Sequence, residues 1–224
     1  VPSDGTDSKN GRGGIYQVGE TLRDCLSSLG VNAILDKTSH NPHDVNAYNR
    51  SRRTAAKLMK QGAVGLIDVH RDAVPANVYA TQINGKKVTK VKLVVGRQNP
   101  HMSSNLEFAK KIKAHLDKKH PGLSAGIFLG KGSYNQDLSP RAILVEVGSD
   151  TNSKEQAKNG VELFSQAIPD VFGVENTGRR DTTPLINVSA SGNQRSDWTA
   201  VIWILLGIAV IYGAYVAINR KKTK

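Results

Sequence analysis

Two apolar stretches of this sequence run directly into ionisable residues. GAVGLIDVHRDAVP, residues 62–75, ends its apolar part at His70, and RAILVEVG, residues 141–148, carries Glu146 among aliphatic side chains. Both stretches are typical of buried central strands, and ligands of open α/β sheets bind beyond the carboxyl ends of strands. A neutral imidazole can hold Zn²⁺, and a nearby carboxylate can take a proton from water. The pattern predicts a hydrolytic site formed by His70 and Glu146, with a purely structural role as the alternative.

Other polar residues lie close to these strands in the sequence. Asp68 precedes His70 by two positions, and we expect it to orient that imidazole or to hold a loop. His40 and His43 have a spacing compatible with metal binding, but a solvated loop with a turn at Asn41-Pro42 is the favoured interpretation.

The polar segment YNQDLSPR, residues 134–141, leads into the Glu146 strand. Its Asn135, Gln136 and Arg141 are candidates for binding substrate amides or carboxylates. An ordinary turn is the alternative for all three.

Helix and strand patterns alternate over residues 1–173. Amphipathic or capped helical patterns cover residues 16–30, 46–62, 103–120 and 153–172, with Ser103 and Ser153 as expected caps. Apolar strand patterns cover residues 31–35, 63–69, 125–130 and 141–148, and Asn84-Gly85 predicts a hairpin within residues 77–96. The predicted fold class is α/β, with a mixed, mostly parallel sheet flanked by helices.

Charge and cysteine content limit the function classes. The formal net charge is +12, of which +4 belongs to the last five residues, and this favours an anionic partner such as a wall polymer, a lipid surface or nucleic acid. Aromatic residues are almost absent from the Lys-rich stretches, so we expect no nucleic-acid binding. The single cysteine, Cys25, excludes an internal disulfide and a cysteine-based zinc site.

The C-terminal part of the chain predicts a membrane anchor. Residues 200–218 contain no charged side chain, and 19 residues of helix would cross the hydrocarbon core. We therefore predict a domain at 1–173, a flexible linker at 174–197, a transmembrane helix at 198–219 and a basic cytoplasmic tail at 220–224. The four cations after the span place residues 1–197 outside the cytoplasm under the positive-inside rule.

The N-terminus shows no signal peptide and does not start with Met. We expect the sequence to be processed or truncated at this end.

Long motifs in the first 170 residues resemble one known family. They are VPSDGTD, DVHRDAVP, TQINGKKV, KLVVGRQNP, NLEFAKKI and YNQDLSPRAILVEVGSDTNSKEQA. These stretches are similar to those of the stage II sporulation protein P family. The resemblance implies an amidase/phosphorylase-like fold and a zinc-dependent N-acetylmuramoyl-L-alanine amidase, which cuts the amide between N-acetylmuramic acid and the L-Ala of the peptidoglycan stem peptide during engulfment.

The resemblance also implies roles for particular residues. His70 matches the zinc-ligand histidine of the DxHRD motif, and Glu146 matches the catalytic glutamate of the EVG motif. Glu20 is a candidate for a carboxylate ligand near the first helix. The family's upstream HTH-type histidine motif does not occur in this sequence, and the family's membrane segment usually precedes the catalytic domain.

The leading hypothesis is a zinc amidase held in the cell membrane by one span, with the catalytic domain extracytoplasmic. We expect Arg71, Asn135, Gln136 and Arg141 to line its cleft, and peptidoglycan, the cytoplasmic membrane and stage II sporulation protein D to be its partners. The rival hypothesis is a non-catalytic, membrane-anchored scaffold that binds the cell wall. A tail-anchored cytoplasmic domain binding nucleic acid is disfavoured by the charge of the tail.

Overall fold

A mixed six-stranded sheet forms the centre of the molecule. The computed structural model describes residues 13–41, 44–173 and 201–205. The strands of the sheet are β1 (Asn32–Asp36), β2 (Gly65–Asp72), β5 (Val91–Gly96), β6 (Ser124–Gly130), β7 (Ala142–Ser149) and β8 (Val201–Leu205). Their order is β1-β8-β2-β7-β5-β6, and only the β5–β7 pair is antiparallel. The predicted fold class is confirmed for the mixed, mostly parallel sheet, and β2 and β7 are interior strands as expected.

The described part of the chain contains five helices. They are α1 (Gly14–Ser28), α2 (Ala47–Lys60), α3 (Met102–Lys119), α4 (Lys154–Ser165) and α5 (Ile168–Phe172). Short 3-10 turns lie at Ala76–Val78 and Gln136–Leu138. Strands β3 (Ala80–Ile83) and β4 (Lys86–Thr89) form a separate two-stranded sheet.

The sheet is covered differently on its two faces. Alternate residues of β2, β5 and β7, such as Ile67, Leu93 and Val145, pack in one large apolar cluster with α1, α3, α4 and α5. The opposite residues, such as Leu66 and Leu144, belong to two small clusters formed with α2 and with the segment 134–138. We call these the helix-rich face and the α2 face.

Several local predictions need correction. The antiparallel pairing of the main sheet does not come from the hairpin, because β3 and β4 pair only with each other and β5 joins the sheet alone. The predicted last helix is two helices, since Pro169 starts a new helical turn near the beginning of α5. The Ser103 cap is wrong because α3 starts one residue earlier, with His101 at its N-cap. Ser153 does cap α4, accepting a hydrogen bond from the backbone nitrogen of Gln156 at 3.2 Å.

The described part of the predicted membrane span is a strand. Val201–Leu205 pairs in parallel with both β1 and β2, so the predicted helix is wrong for these five residues. The physical reason is that a short apolar run rich in β-branched residues suits a buried strand as well as a helix. None of the helices within the described ranges has the length and apolar character to cross a bilayer. The remainder of the predicted span, the linker at 174–197 and the tail at 220–224 lie outside the described residues.

Candidate active site

His70 and Glu146 are direct neighbours across two adjacent parallel strands. The register of β2 against β7 pairs His70 with Glu146, and the preceding pairs run regularly from Leu66 and Ala142. Neighbouring strands lie about 4.8 Å apart, and paired residues of parallel strands point to the same face. Both side chains are therefore on the α2 face, where His70 is 1% exposed and Glu146 is 4% exposed.

Further ionisable groups extend this pair into a row. Oδ1 of Asp68 lies 3.0 Å from Nε2 of His70, which is ion-pair distance. On the other side, Lys92 of β5 is the register partner of Glu146, and its Nζ lies 2.6 Å from Asp72. The sheet thus arranges carboxylates, an imidazole and an ammonium group within one buried row.

The backbone after Glu146 ends the regular pairing. Gly148 has φ 74°, which favours glycine, and a Cβ there would come within 2.5 Å of the Thr89 side chain. The strand register also shifts between His70 and Asp72. Both irregularities lie just beyond the His70–Glu146 pair, where the two strands diverge from a regular ladder.

Burial controls the protonation of Glu146. Desolvation raises the pKa of this carboxyl from 4.5 to about 7, and Asp72 and Asp68 add to the increase while His70 and Lys92 oppose it. A carboxyl with a pKa near neutrality can both accept and return a proton near pH 7.

The imidazole of His70 has a different balance. Burial is the largest influence and lowers its pKa, but the carboxylates of Asp68, Glu146 and Asp72 together outweigh burial, so that the net shift is upward. Nε2 lies at ion-pair distance from Asp68, whereas Nδ1 has no hydrogen-bond partner among the described residues. An unpartnered nitrogen in a buried site indicates a function beyond packing.

Tyr48, on the first turn of α2, is a site residue that the sequence analysis missed. Its ring lies parallel to the imidazole of His70, with ring centroids 6.5 Å apart and an interplanar angle of 3°. Tyr134 packs edge-on against Tyr48 at a centroid distance of 5.4 Å. One aromatic residue in the polar helix start NAYNRSRR was the available signal, but a tyrosine on a helix is usually a packing residue.

Asn135 and Gln136 hold backbone instead of lining a cleft. The side-chain amide of Asn135 donates hydrogen bonds to the carbonyl of Tyr48 at 3.1 Å and to Oγ of Ser51 at 3.0 Å. Gln136 is 1% exposed, and its amide bonds the carbonyl of Val94 and the backbone nitrogen of Gly96, both at 2.8 Å. Both amides therefore bond groups within the fold, and their contact with substrate stays a prediction.

The two predicted cleft arginines are also placed elsewhere. Arg71 is buried and donates hydrogen bonds to the carbonyl oxygens of Ser149, at 3.0 Å, and Asn152. Its side chain is on the opposite face of β2 from that of His70. Its hydrogen bonds hold the connection between β7 and α4. Arg141 precedes β7, at the opposite end from Glu146, and stacks over Phe172 of α5 with 5.6 Å from its guanidinium carbon to the ring centroid.

The predicted carboxylate ligand and the loop histidines lie in different surroundings. Glu20 lies on α1 and forms an ion pair with Lys37. Its ion-pair partner, Lys37, follows β1 and is not a member of the His70–Glu146 row. His40 is buried, contrary to the solvated-loop interpretation, with an unpartnered Nε2 and with Asp68 among the charges that act on it. His43 lies outside the described residues.

The donor types around the pair suit zinc, although the set is incomplete. The Nδ1 atom of His70, the Oε2 atom of Glu146 and the Nε2 atom of His40 are buried without hydrogen-bond partners in the described ranges. Neutral imidazole and carboxylate are ordinary zinc ligands. However, no group of three or more His, Cys, Asp or Glu side chains in residues 13–41 and 44–173 meets as a metal centre. Further ligands would be needed to complete a four-coordinate site.

Comparison with known sequences decides the family. The sequence model of stage II sporulation protein P (SpoIIP) matches residues 1–169. The chain belongs to the SpoIIP family. It is 30% identical over 181 residues to stage II sporulation protein P of Bacillus subtilis (strain 168), an alignment that covers 74% of this chain and 44% of that protein. The chain therefore spans less than half the length of this SpoIIP relative.

Solved structures support the same fold. The N-acetylmuramyl-L-alanine amidase Ami1 from Mycobacterium smegmatis superposes with a TM-score of 0.52 at 15% identity, over 71% of this chain and 76% of that one. The CwlD amidase from Clostridioides difficile, solved in complex with the GerS lipoprotein, gives a TM-score of 0.49 at 15% identity, over 70% and 84% of the two chains. The superposition with Ami1 shows that this SpoIIP chain shares its fold, including the mixed sheet, with that amidase.

Proposed function

We propose that this SpoIIP chain is the catalytic domain of a zinc-dependent N-acetylmuramoyl-L-alanine amidase that remodels peptidoglycan during sporulation. The observation that carries the proposal is the buried pairing of His70 with Glu146 on neighbouring strands. A structural ion pair would satisfy its own polar atoms, whereas Oε2 of Glu146 and Nδ1 of His70 have no partner among the described residues.

The chain's own residues supply the proton transfers of amide hydrolysis. Glu146, with its pKa raised to about 7, accepts a proton from the attacking water and passes it to the leaving amine. Asp68 orients the imidazole of His70 from 3.0 Å. The low exposure of the pair limits competing solvent and strengthens these interactions.

Zinc would be held by His70 together with ligands beyond the described cluster. When bound, zinc polarises a carbonyl and lowers the pKa of a water ligand to about 7. His40 is near enough to Asp68 to feel its charge and has a buried, unpartnered Nε2, so it is a candidate additional ligand. The resemblance to the family instead implies a histidine of the HTH-type motif, which does not occur in residues 1–224.

The experiment is hydrolysis of purified sacculi by the full-length protein that contains this chain. We expect the wild type to expose new L-Ala amino termini without new reducing sugar ends, and Glu146→Gln to lower the rate by about 10²–10⁴-fold while zinc content is retained. Glu155→Gln is the matched control, because Glu155 is an exposed residue of α4. Equal release by wild type and Glu146→Gln would refute the catalytic role.

A non-catalytic wall-binding scaffold is the second candidate. The incomplete metal-ligand set in the described residues and the net charge of +12 favour it. A scaffold would sediment with sacculi in a salt-dependent manner and release nothing, whereas the amidase would release stem peptides from the same sacculi.

Membrane attachment, an extracytoplasmic position and stage II sporulation protein D as partner stay predictions. The placement of Val201–Leu205 in the sheet competes with a span at 198–219. Recovery of the protein in the membrane pellet, lost when residues 198–224 are deleted, would support the span. Recovery that survives the deletion would oppose it.

A further inference from the structure

The hydroxyl group of Tyr48 is a hydrogen-bond donor in the site that the mechanism above does not use. Its oxygen is buried and has no hydrogen-bond partner among the described residues. Leaving a buried hydroxyl unpaired costs about 1–3 kcal/mol, so such a group in a native fold calls for a specific explanation.

The surroundings of this hydroxyl connect it to the reacting groups. The Tyr48 ring stacks parallel to His70, and the carboxylates of Asp68 and Glu146 are the leading charges that act on its phenol. A tyrosine phenol is ordinarily protonated at neutral pH, so this hydroxyl can donate a hydrogen bond.

A strained segment fixes the position of Tyr48. Tyr134 and Asn135 are consecutive non-glycine residues in the left-handed region, with φ 53° and 55°. In this conformation Tyr134 packs against the Tyr48 ring, and the Asn135 amide bonds the Tyr48 carbonyl. Left-handed non-glycine residues cost of order 1 kcal/mol or more each and collect at functional sites.

We propose that the Tyr48 hydroxyl donates a hydrogen bond to the carbonyl oxygen of the scissile amide and stabilises the negative charge that develops on it. This inference rests on the proposed amidase function. The charge of the proposed general base, Glu146, acts on this hydroxyl, and no hydrogen bond joins the two. A substrate carbonyl would satisfy the orphaned donor. Tyr48 is then a catalytic residue, and Asn135 is a positioning residue that acts through it.

The chain provides a matched control for removing this hydroxyl. Tyr16, on α1, also has a buried, unpartnered hydroxyl, but burial is the sole influence resolved on its pKa, with no charged neighbour. Tyr48→Phe and Tyr16→Phe therefore make the same chemical change in two buried places, one beside Glu146 and one in the apolar cluster of the helix-rich face.

The test is steady-state hydrolysis of a disaccharide tetrapeptide by the zinc-loaded full-length protein. We expect Tyr48→Phe to lower kcat by about 10²–10³-fold with KM changed by less than about threefold, because a donor to the oxyanion acts in the transition state. Zinc content should match the wild type and Tm should not fall, because the variant loses a hydroxyl that has no partner in the fold. Tyr16→Phe should leave kcat and KM unchanged.

The contrary outcomes are distinct. A kcat of Tyr48→Phe within about twofold of wild type overturns the inference while the amidase function stands. A loss of kcat that comes with an equal loss of zinc or of Tm also overturns it, since the role is then structural. A wild type that releases no product overturns the proposed function and this inference together.

Discussion

The two faces of the central sheet are built from the same strands but have opposite character. On the helix-rich face, α1, α3, α4 and α5 cover a continuous apolar cluster that includes Ile67, Leu93 and Val145. On the α2 face, the neighbouring residues of the same strands form small clusters beside the buried row of Asp68, His70 and Glu146. Because side chains alternate along a strand, residues on one face of a sheet can form the apolar core while residues on the other face form a polar site. The comparison teaches that burial alone does not define a core, since one buried face is a continuous apolar cluster and the other buries ionisable side chains.

The largest effect should come from breaking the helix-rich face. Phe164 of α4 is fully buried in the large cluster, and Phe164→Ala should lower the free energy of unfolding by about 3–5 kcal/mol. Urea denaturation measures this change, and kcat per folded molecule should stay near the wild-type value. Phe128→Ala is the control, because Phe128 is 52% exposed on β6 and should cost less than about 0.5 kcal/mol. Equal losses from both variants would contradict the division between the faces.

The α2 face should respond in the opposite direction. In metal-free protein, Glu146→Gln should raise stability, because the pKa of Glu146 is raised from 4.5 to about 7 on folding. The folded state therefore binds the proton more tightly, and wild-type stability is full below pH 4.5 and falls as the pH rises through 7. The gain from Glu146→Gln should be near zero at pH 4 and on the order of 3 kcal/mol at pH 8.

Thermal unfolding of chelator-treated wild type and Glu146→Gln at the two pH values measures this difference. Glu155→Gln, at an exposed position, should show no such pH-dependent gain. A Glu146→Gln protein that is less stable than wild type at pH 8 would mean that the carboxylate is a structural partner.

Arg71 differs from both Phe164 and Glu146, because it is a buried charge whose hydrogen bonds stabilise the fold. Arg71→Lys removes the planar fork that reaches the carbonyls of Ser149 and Asn152 and should cost about 1.5–3 kcal/mol. KM for muropeptide should not change. Arg23→Lys is the control at an exposed position on α1. If Arg71→Lys raised KM without changing the free energy of unfolding, Arg71 would be a substrate-binding residue as the sequence predicted.

The smallest effect concerns the positioning of Tyr48. Asn135→Gly keeps the left-handed backbone but removes the amide donors to Tyr48 and Ser51, at a cost of about 0.5–1.5 kcal/mol. A fall in kcat of about 5–10-fold should accompany it. Asn84→Gly makes the same change at the other left-handed asparagine, in the hairpin turn, and kcat should not respond there. Equal kcat values for Asn135→Gly and Asn84→Gly would show that Asn135 does not contribute to catalysis.

The sequence was sufficient for the elements that depend on local pattern. The near-continuous apolar runs predicted β2 and β7 as buried central strands, and this placed His70 and Glu146 on one sheet. The β5–β7 pairing was not predictable in this way, because partner choice between distant strands leaves no local signature. The split between α4 and α5 at Pro169 could have been read from the proline.

The site was predicted only in part for a different reason. A polar residue near a strand end predicts a cleft position or a backbone brace equally well, and Arg71, Asn135 and Gln136 are braces. Tyr48 was missed because its role depends on stacking against a residue of another element. Contacts of this kind become visible only when the strand register is known.

The lateral pairing of His70 with Glu146 has a consequence for the stage of folding at which the two groups can first act together. The two side chains belong to segments separated by β3, β4, β5, α3 and β6 along the chain, so long-range parallel pairing must form before they meet. A nascent or stretched polypeptide carries both groups at separate positions, whereas the proposed hydrolysis would need them together. Such an activity would therefore begin only once the centre of the sheet has formed, and it would end when the sheet opens there.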